Sequence, residues 1–342
     1  MGKFFERVVT YGAAASQGLR VVEFLTWQTE LDEALTGLPE SELLSHELFR
    51  MLAMNPSPTR KRIFLVLEKD TPVAVAGLRW NETFWELLTN WILPGVLFPV
   101  KDGYIHRVLP ALGVSMKVGW WRWNAPPPLM KWAGRIRSSP THGIRYSEDF
   151  EQHWNQKFKK NLRQSKNRSK DLTWKVNAPD AAEWTIRNWG KKWFPSAIGE
   201  MAQIQDRILI ARYLEERKRH YTHSMHDGDT IIAGATVIVH RDELVAQVIY
   251  RLDEYDWHGA TNRLIELQFH WGKDMGFGGF DIGGGQDYKA HWAPPRSDKW
   301  EFDIEQGYRQ FGQRFVDVYD KGKKIVSRIL NKNTLPNSPV KP

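Results

Sequence analysis

The stretch Phe277-Gly-Gly-Phe-Asp-Ile-Gly-Gly-Gly-Gln-Asp-Tyr-Lys-Ala-His-Trp292 decides how the fold of this chain is interpreted. Its Phe280-Asp-Ile282 segment predicts a short strand, and the glycine run after it lets the backbone turn sharply and approach a ligand. Four ionisable side chains follow within five positions, namely Asp287, Tyr288, Lys289 and His291. Ionisable groups just beyond a strand end indicate a chemical site in an α/β protein, although an ordinary surface turn has the same composition.

Composition bounds the class of protein and of partner. The 342 residues include no cysteine, which excludes disulfides and a thiol nucleophile and predicts a reducing, cytoplasmic setting. Lysine and arginine number 48 against 40 acids, and the net charge of +8 favours an anionic partner such as nucleic acid, a phosphorylated metabolite, coenzyme A or anionic lipid. The most apolar segment, residues 87–100, is broken by prolines, so we expect no membrane span. Nothing in the composition indicates an oligomeric state.

An internal repeat predicts the domain organisation. The segment Lys69-Asp-Thr-Pro-Val-Ala-Val-Ala-Gly77 is echoed by Gly228-Asp-Thr-Ile-Ile-Ala-Gly-Ala235, and each lies in a predicted hairpin that follows predicted helices and a first strand. This order predicts an α/β fold of two similar mixed α/β halves. The expected parts are an N-terminal domain over residues 1–125, a linker over 126–150, a C-terminal domain over 151–320 and a tail over 321–342.

Periodicity and turn residues predict the individual elements. Strands are expected at residues 19–26, 62–68, 73–80, 103–108, 116–123, 172–176, 220–225, 231–239, 245–252, 280–282, 300–304 and 311–318. Helices are expected at residues 42–54 with Ser41 as the N-cap, at 181–193, at 200–217 with a strongly amphipathic pattern, and at 261–275.

Four segments carry a resemblance to a known superfamily. They are the basic segment Lys159-Lys-Asn-Leu-Arg-Gln-Ser-Lys166, the hairpin strand Asp229-Thr-Ile-Ile-Ala-Gly-Ala-Thr-Val237, the helix that begins Asn262-Arg-Leu-Ile-Glu-Leu267, and Phe280-Asp-Ile-Gly-Gly-Gly-Gln-Asp-Tyr-Lys289. In this order they resemble the GNAT acyltransferase superfamily, and more narrowly its CelD-type branch, which is related to the Fem peptidyltransferases. The resemblance covers about residues 150–305, and the first half matches in element order alone. It implies two tandem GNAT-like domains with the active site in the groove between or beside them.

The resemblance also implies roles for three residues of the opening stretch. Lys289 would stabilise the negative charge that acyl transfer builds on the carbonyl oxygen, whereas an ordinary surface lysine is the alternative. Asp281 would orient Lys289, accept a proton from the attacking amine, or only cap the glycine turn. Tyr288 would donate a proton to the leaving group or only pack.

A basic run precedes the second half. Residues 157–170 read KFKKNLRQSKNRSK, with seven basic residues and no acid. We expect Lys159, Lys160 and Arg163 to bind the phosphates of a substrate. A solvated helix face and a nucleic-acid contact are the alternatives.

The segment before the last predicted helix is the candidate cofactor site. Free backbone N–H groups at a helix start favour the pyrophosphate of coenzyme A, and the residues in question are His258, Gly259, Ala260, Thr261 and Asn262. Gly259 is the residue expected to adopt a positive φ. The superfamily's coenzyme A loop, Gln/Arg-x-x-Gly-x-Gly/Ala, has more glycine than this segment, and the departure leaves the acyl donor open.

The predicted function is transfer of an acetyl or other acyl group from acyl-coenzyme A to an amine or hydroxyl, with an amino sugar or a cell-envelope precursor as candidate acceptors. The first alternative is a Fem-like transferase that uses aminoacyl-tRNA. The second is a non-catalytic protein that binds nucleic acid or polysaccharide. No metal site is expected, because His220, His223 and His226 are spaced so that neighbours on a strand point to opposite faces.

Overall fold

The computed structural model describes residues 6–8, 18–81, 84–90, 92–123, 133–147, 149–193, 198–284 and 287–304, called here the described residues. They all belong to one unit of the chain, Met1–Ile304. The predicted strand at 311–318 and the predicted tail at 321–342 lie outside them.

Strands and helices alternate along most of the described chain. The strands are β1 (Glu6–Val8), β2 (Arg20–Phe24), β3 (Lys61–Glu68), β4 (Thr71–Trp80), β5 (Trp85–Leu87), β6 (Met116–Trp123), β7 (Ala133–Arg145), β8 (Thr173–Val176), β9 (His220–Asp227), β10 (Thr230–His240), β11 (Glu243–Arg251), β12 (Gly279–Gly284) and β13 (Pro295–Ile304). The helices are α1 (Thr29–Thr36), α2 (His46–Met54), α3 (Ile105–Ala111), α4 (Gln156–Arg168), α5 (Ala181–Trp193), α6 (Ile198–Glu216) and α7 (Ala260–Asp274). A 3₁₀ turn at Asp287–His291 follows β12.

The sheet repeats one pairing scheme twice. In the first half, β2 to β5 pair antiparallel in chain order, β5 pairs parallel with β6, and β6 pairs antiparallel with β13. In the second half, β8 to β11 pair antiparallel in chain order, β11 pairs parallel with β12, and β12 pairs antiparallel with β7. We call β1–β6 with α1–α3 the first half, and β7–β12 with α4–α7 the second half. The predicted fold class, α/β with two tandem mixed halves, is confirmed by this repetition.

One strand joins the two halves into a single sheet. β13 pairs antiparallel with both β6 and β7, so the described strands have the order β1-β2-β3-β4-β5-β6-β13-β7-β12-β11-β10-β9-β8. β7 itself lies inside the predicted linker of residues 126–150. The predicted domain boundaries stay a prediction. In the sheet, β13 lies between the two halves, although it is the last described strand along the chain.

Two predicted elements differ from the structure, and one strand was not predicted. The strand predicted at 103–108 is wrong, because Val108, Leu109 and Ala111 are buried at helical spacing within α3. The helix predicted from residue 42 begins later, because Ser45 is its N-cap and accepts the Leu48 N–H at 3.1 Å. β7 was not predicted, because its sequence AGRIRSSPTHGIR contains a proline and two glycines, which are unfavourable inside strands.

Helix α6 was predicted to be strongly amphipathic, and it is instead buried on two sides. One side packs on β11 and α5, and the other joins the core of the first half through Ile210, Tyr213 and Leu214. Asp206 of α6 accepts a hydrogen bond from Arg79 of β4 at 2.5 Å, and both side chains are buried. The helix therefore lies between the halves and keeps only a narrow exposed strip, which explains the weak amphipathic pattern.

Candidate active site

In the second half, strands β11 and β12 pair with each other over their first residues and then separate. These parallel strands pair over three positions, from Glu243↔Gly279 to Val245↔Asp281. Both strands continue beyond that point, but they form no further pair with each other among the described residues. The backbone edge of β11 beyond Val245 is therefore left open to a ligand on the β12 side.

A β-bulge in each strand accounts for the separation. On β11, Gln247 and Val248 together lie opposite the single residue Thr236 of β10. On β12, Ile282 is an extra residue relative to β7. A bulge bends its strand and increases the local twist, and these two bulges lie at the level where the pairing ends.

A cavity of about 440 Å³ occupies this gap. Its apolar lining comes from both strands and from β10, α5 and α7, and consists of Trp189, Trp193, Ala235, Ala246, Val248, Ile249, Ile265, Phe280 and Ile282. Its polar side chains are Thr236, Gln247, Arg251, Thr261, Gln268, Tyr288 and Lys289. A mostly apolar cleft of this volume with a few polar groups is typical of a small-molecule site.

The glycine run after β12 arranges two of the predicted catalytic residues. Asp281 is fully buried, and its Oδ1 accepts the N–H of Gly283, whose φ is +77°. Lys289 is partly buried, lines the cavity, and donates from Nζ to the Gly284 carbonyl at 3.2 Å. The Asp281 hydrogen bond is the one that a turn-capping acid makes. The catalytic roles of Asp281 and Lys289 stay predictions.

Tyr288 lies at the mouth of the same cavity. Its side chain is 39% exposed, and it lines both this cavity and the neighbouring one described below. Partial burial raises the pKa of its phenol, so the group stays protonated and is able to donate at neutral pH. Donation to a leaving group stays a prediction for this residue.

His142 is an ionisable group of this region that the sequence did not indicate. It lies on β7 opposite Gly283 of β12 and is 7% exposed. Burial lowers the pKa of His142 and the charge of Lys289 lowers it further, while Asp281 raises it. The imidazole is therefore neutral at pH 7 and within electrostatic reach of both predicted residues. The sequence missed it because β7 itself was not predicted.

A second cavity of about 450 Å³ adjoins the first at the start of α7. Arg251, Thr261 and Tyr288 line both cavities, so the two lie side by side. Gly259 is the N-cap of α7 with a φ of 64°, as predicted, and no side chain of the described residues caps the helix. Uncapped N–H groups and the positive end of the helix dipole favour an anion at this place.

Some residues of the predicted cofactor segment line the second cavity, and one is buried in the core. Gly259, Thr261 and Asn262 line the second cavity, whereas Ala260 is fully buried. The ring of His258 packs against Tyr255 with 5.2 Å between ring centroids. A binding role for all of these residues stays a prediction.

Gly259 also has a packing role. A Cβ at this position would lie 2.4 Å from the Oγ and 3.2 Å from the Cα of Ser165 in α4. Any larger residue at Gly259 would therefore displace α4.

Two arginines lie at the second cavity. Arg168 of α4 stacks on Trp257, with its guanidinium carbon 3.7 Å from the ring centroid. Arg251 pairs with Asp256 at 2.7 Å, and Asp256 also lines the cavity. Two cations against one acid leave the lining net positive, which suits a phosphate group.

Helix α4 presents two polar faces. The residues that line the second cavity are Asn161, Gln164, Ser165 and Arg168. The predicted phosphate-binding residues Lys159, Lys160 and Arg163 line neither cavity, and none of them forms an ion pair with another described residue. Their role stays a prediction. The spacing of residues 161, 164, 165 and 168 along one helix face would have indicated the cavity-lining set.

The three histidines of β9 are buried structural groups. His220, His223 and His226 are each at most 4% exposed. Burial lowers the pKa of His220 to about 4 and that of His223 to about 3. His223 packs against Trp174 and Trp271, at centroid distances of 5.8 Å and 4.7 Å. Among the described residues no group of three potential ligands could hold a metal ion.

Solved structures similar to this chain include tandem GNAT and Fem-type proteins. L-PGS from Bacillus licheniformis is 11% identical, with 91% of this chain and 98% of that chain covered and a TM-score of 0.48. A tandem GNAT protein from the clavulanic acid biosynthesis pathway is 10% identical, with 84% and 99% covered and a TM-score of 0.46. FemX is 9% identical, with 85% and 99% covered and a TM-score of 0.43. Proteins of the kind that the sequence was expected to resemble are thus among the similar structures, and similarity at this level carries no statement about reaction or substrate.

No protein-family profile matches the chain, and no curated protein matches it by sequence. None of the helices in the described residues combines the length and the apolarity needed to cross a membrane.

Proposed function

We propose that this protein is an acyltransferase that binds acyl-coenzyme A in the gap between β11 and β12. The observation that carries the proposal is that two cavities lie side by side, one between the parted strands and one at the start of α7. A coenzyme A thioester has the matching order of groups, with a diphosphate at one end, an amide-bearing arm, and the reactive carbonyl at the other end.

Each part of the donor has a partner in this arrangement. The diphosphate would lie at Gly259, Thr261 and Asn262, with Arg168 close by. The amides of the arm would pair with the open backbone edge of β11 beyond Val245. The thioester would then lie beside Lys289, which lines the cavity between β11 and β12, called here the inner cavity.

The proposed reaction needs no covalent enzyme intermediate. The acceptor nitrogen or oxygen attacks the thioester carbon, the new C–N or C–O bond forms, and the C–S bond breaks. Lys289 stabilises the carbonyl oxygen as its negative charge develops. The acceptor's proton passes to a general base, and the candidates are Asp281 at the glycine turn and His142 opposite Gly283. Tyr288 protonates the departing thiolate of coenzyme A.

A second candidate function rests on one face of α4. Lys159, Arg163 and Lys166, called here the cation stripe, recur at the spacing of one helix face. None of the three forms an ion pair with a described residue, whereas Arg187 and Arg212 of α5 and α6 both pair with Glu183. Unpaired cations in a row suit a phosphodiester backbone, so a tRNA-borne acyl group is the alternative donor.

Calorimetry with coenzyme A tests the first function. We expect saturable binding, and we expect Arg168→Gln to weaken it about tenfold, or about 1.4 kcal/mol, because a phosphate contact is lost. Lys166→Gln is the matched control on the opposite side of the same helix, where it lines neither cavity, and it should leave the affinity for coenzyme A unchanged. Absence of coenzyme A binding at millimolar concentration, together with tRNA binding that weakens steeply with salt, would select the second function instead.

A further inference from the structure

Two glutamine side chains line the inner cavity, and each has amide atoms with no hydrogen-bond partner among the described residues. Gln268 of α7 is 2% exposed, and its Nε2 has no partner among the described residues. Gln247 lies in the bulge of β11, and neither of its amide atoms has a partner. Both side chains line the cavity between β11 and β12. Buried amide groups nearly always have hydrogen-bond partners in folded proteins. We therefore expect these two amides to bind polar groups of a ligand that enters the cavity.

The two amides specify what they would bind. A primary amide offers donors from Nε2 and an acceptor at Oε1, so its complement carries both a donor and an acceptor. A hydroxyl or an amide meets this requirement, whereas a plain alkyl group offers neither. An ammonium group offers donors alone, and the cavity lining described here contains no aspartate or glutamate to neutralise it.

We infer that the acyl group carried by the donor is neutral and polar, with a hydroxyl or amide substituent that Gln247 and Gln268 bind. This inference rests on the proposed function, because it assigns the inner cavity to the acyl end of the donor. The carbonyl oxygen of the thioester does not replace such a substituent, since it is assigned to Lys289. The neighbouring walls of Ile282 and Phe280 are apolar and suit the carbon chain that connects the two groups.

The test compares donors that differ by one hydroxyl. We expect the wild-type protein to bind 3-hydroxybutyryl-coenzyme A at least about tenfold more tightly than butyryl-coenzyme A, a difference of about 1.4 kcal/mol. Replacing both glutamines, Gln247→Leu with Gln268→Leu, should abolish or reverse this preference because an apolar wall favours the alkyl chain. Affinity for coenzyme A itself should be the same in both proteins. β-Alanyl-coenzyme A should bind more weakly than 3-hydroxybutyryl-coenzyme A, because its ammonium finds no acid.

A second measurement needs no donor. The melting temperature of the ligand-free double variant should equal or exceed that of the wild type, because no existing hydrogen bond is removed. A lower melting temperature would show that the amides have partners in the free protein, and it would overturn the inference.

The outcomes distinguish a failure of this inference from a failure of the proposed function. Wild-type protein that binds coenzyme A but shows the same donor preference as the double variant would overturn this inference and leave the proposed function intact. Wild-type protein that binds no coenzyme A would overturn both.

Discussion

The two halves of the sheet share a pairing scheme but differ where the parallel pair ends. Beyond β11 and β12 the strands part and leave a cavity. Beyond β5 and β6 the corresponding place is filled by Asn90, which is 1% exposed. Its Oδ1 accepts the Gly119 N–H of β6 at 2.7 Å, and its Nδ2 donates to the Lys117 carbonyl at 3.4 Å. One side chain thus takes up the polar groups that a ligand would meet in the second half.

The helices after these strands differ in the same way. α3 has seven residues and contains Pro110, whereas α7 has fifteen residues and begins beside the second cavity. The first half also uses its buried charges for structure, because Arg79 binds both Glu86 of β5 and Asp206 of α6. In the second half bulged strands part around a cavity, whereas Asn90 closes the corresponding place in the first half. We therefore propose that the second half carries the chemistry and that the first half has a structural role.

The largest expected effect is on turnover. Lys289→Ala should lower the turnover number about a hundredfold to a thousandfold and leave coenzyme A affinity nearly unchanged, because the lost contact forms mainly in the transition state. The matched control is Lys117→Ala on β6, the strand of the first half that corresponds to β12, and it should retain activity. Steady-state kinetics with a melting curve for each variant provides the measurement. Equal losses of stability and activity in Lys289→Ala would instead mean a structural lysine.

The next effect concerns stability and sharpens the contrast between the two amides. Asn90→Leu should lower the free energy of unfolding by about 2 kcal/mol, because it leaves the buried N–H of Gly119 unsatisfied. The same chemical change at Gln247, whose amide has no partner in the part of the chain that the structure describes, should cost nothing measurable. Urea unfolding of both variants measures the difference. Similar losses in the two variants would remove the distinction drawn here between a filled and an open site.

The smallest effect concerns the response to acid. Burial lowers the pKa of His223 to about 3, so the unfolded state binds the proton first, and the stability present above pH 6.5 is lost as the pH falls below that value. The loss between pH 8 and pH 5.5 should be about 1.4 kcal/mol for this histidine. His223→Phe should remove that part of the loss. Unfolding of both proteins at the two pH values measures it, and identical pH dependence would show that His223 is accessible to protons in the folded state.

This acid response should be confined to the second half. The histidines described in the first half, His46 and His106, are partly exposed and not buried. Hydrogen exchange at pH 5.5 should therefore show β9 opening before β3 and β4.

The sequence by itself determined the local elements and the repeat. Alternating apolar residues with good turn residues indicated the hairpins β3–β4 and β9–β10, and the glycine before α7 indicated a positive φ, which the structure confirms. These features follow from backbone preferences of a few neighbouring residues, so they can be read without knowing the fold. The same holds for the glycine turn that Asp281 caps.

Only the tertiary structure decided where the gap lies and what faces it. The bulges at Gln247 and Ile282 are defined by register with β10 and β7, and register depends on partners far away in the chain. His142 lies near the candidate site because β7, which was not predicted, pairs with β12. Helix α6 is buried on two sides because the core of the first half packs against it. Asn90 and Gln247 are both amides in apolar surroundings, and nothing local tells which one has partners. That distinction depends on whether the neighbouring strands stay together or part, and long-range pairing alone sets it.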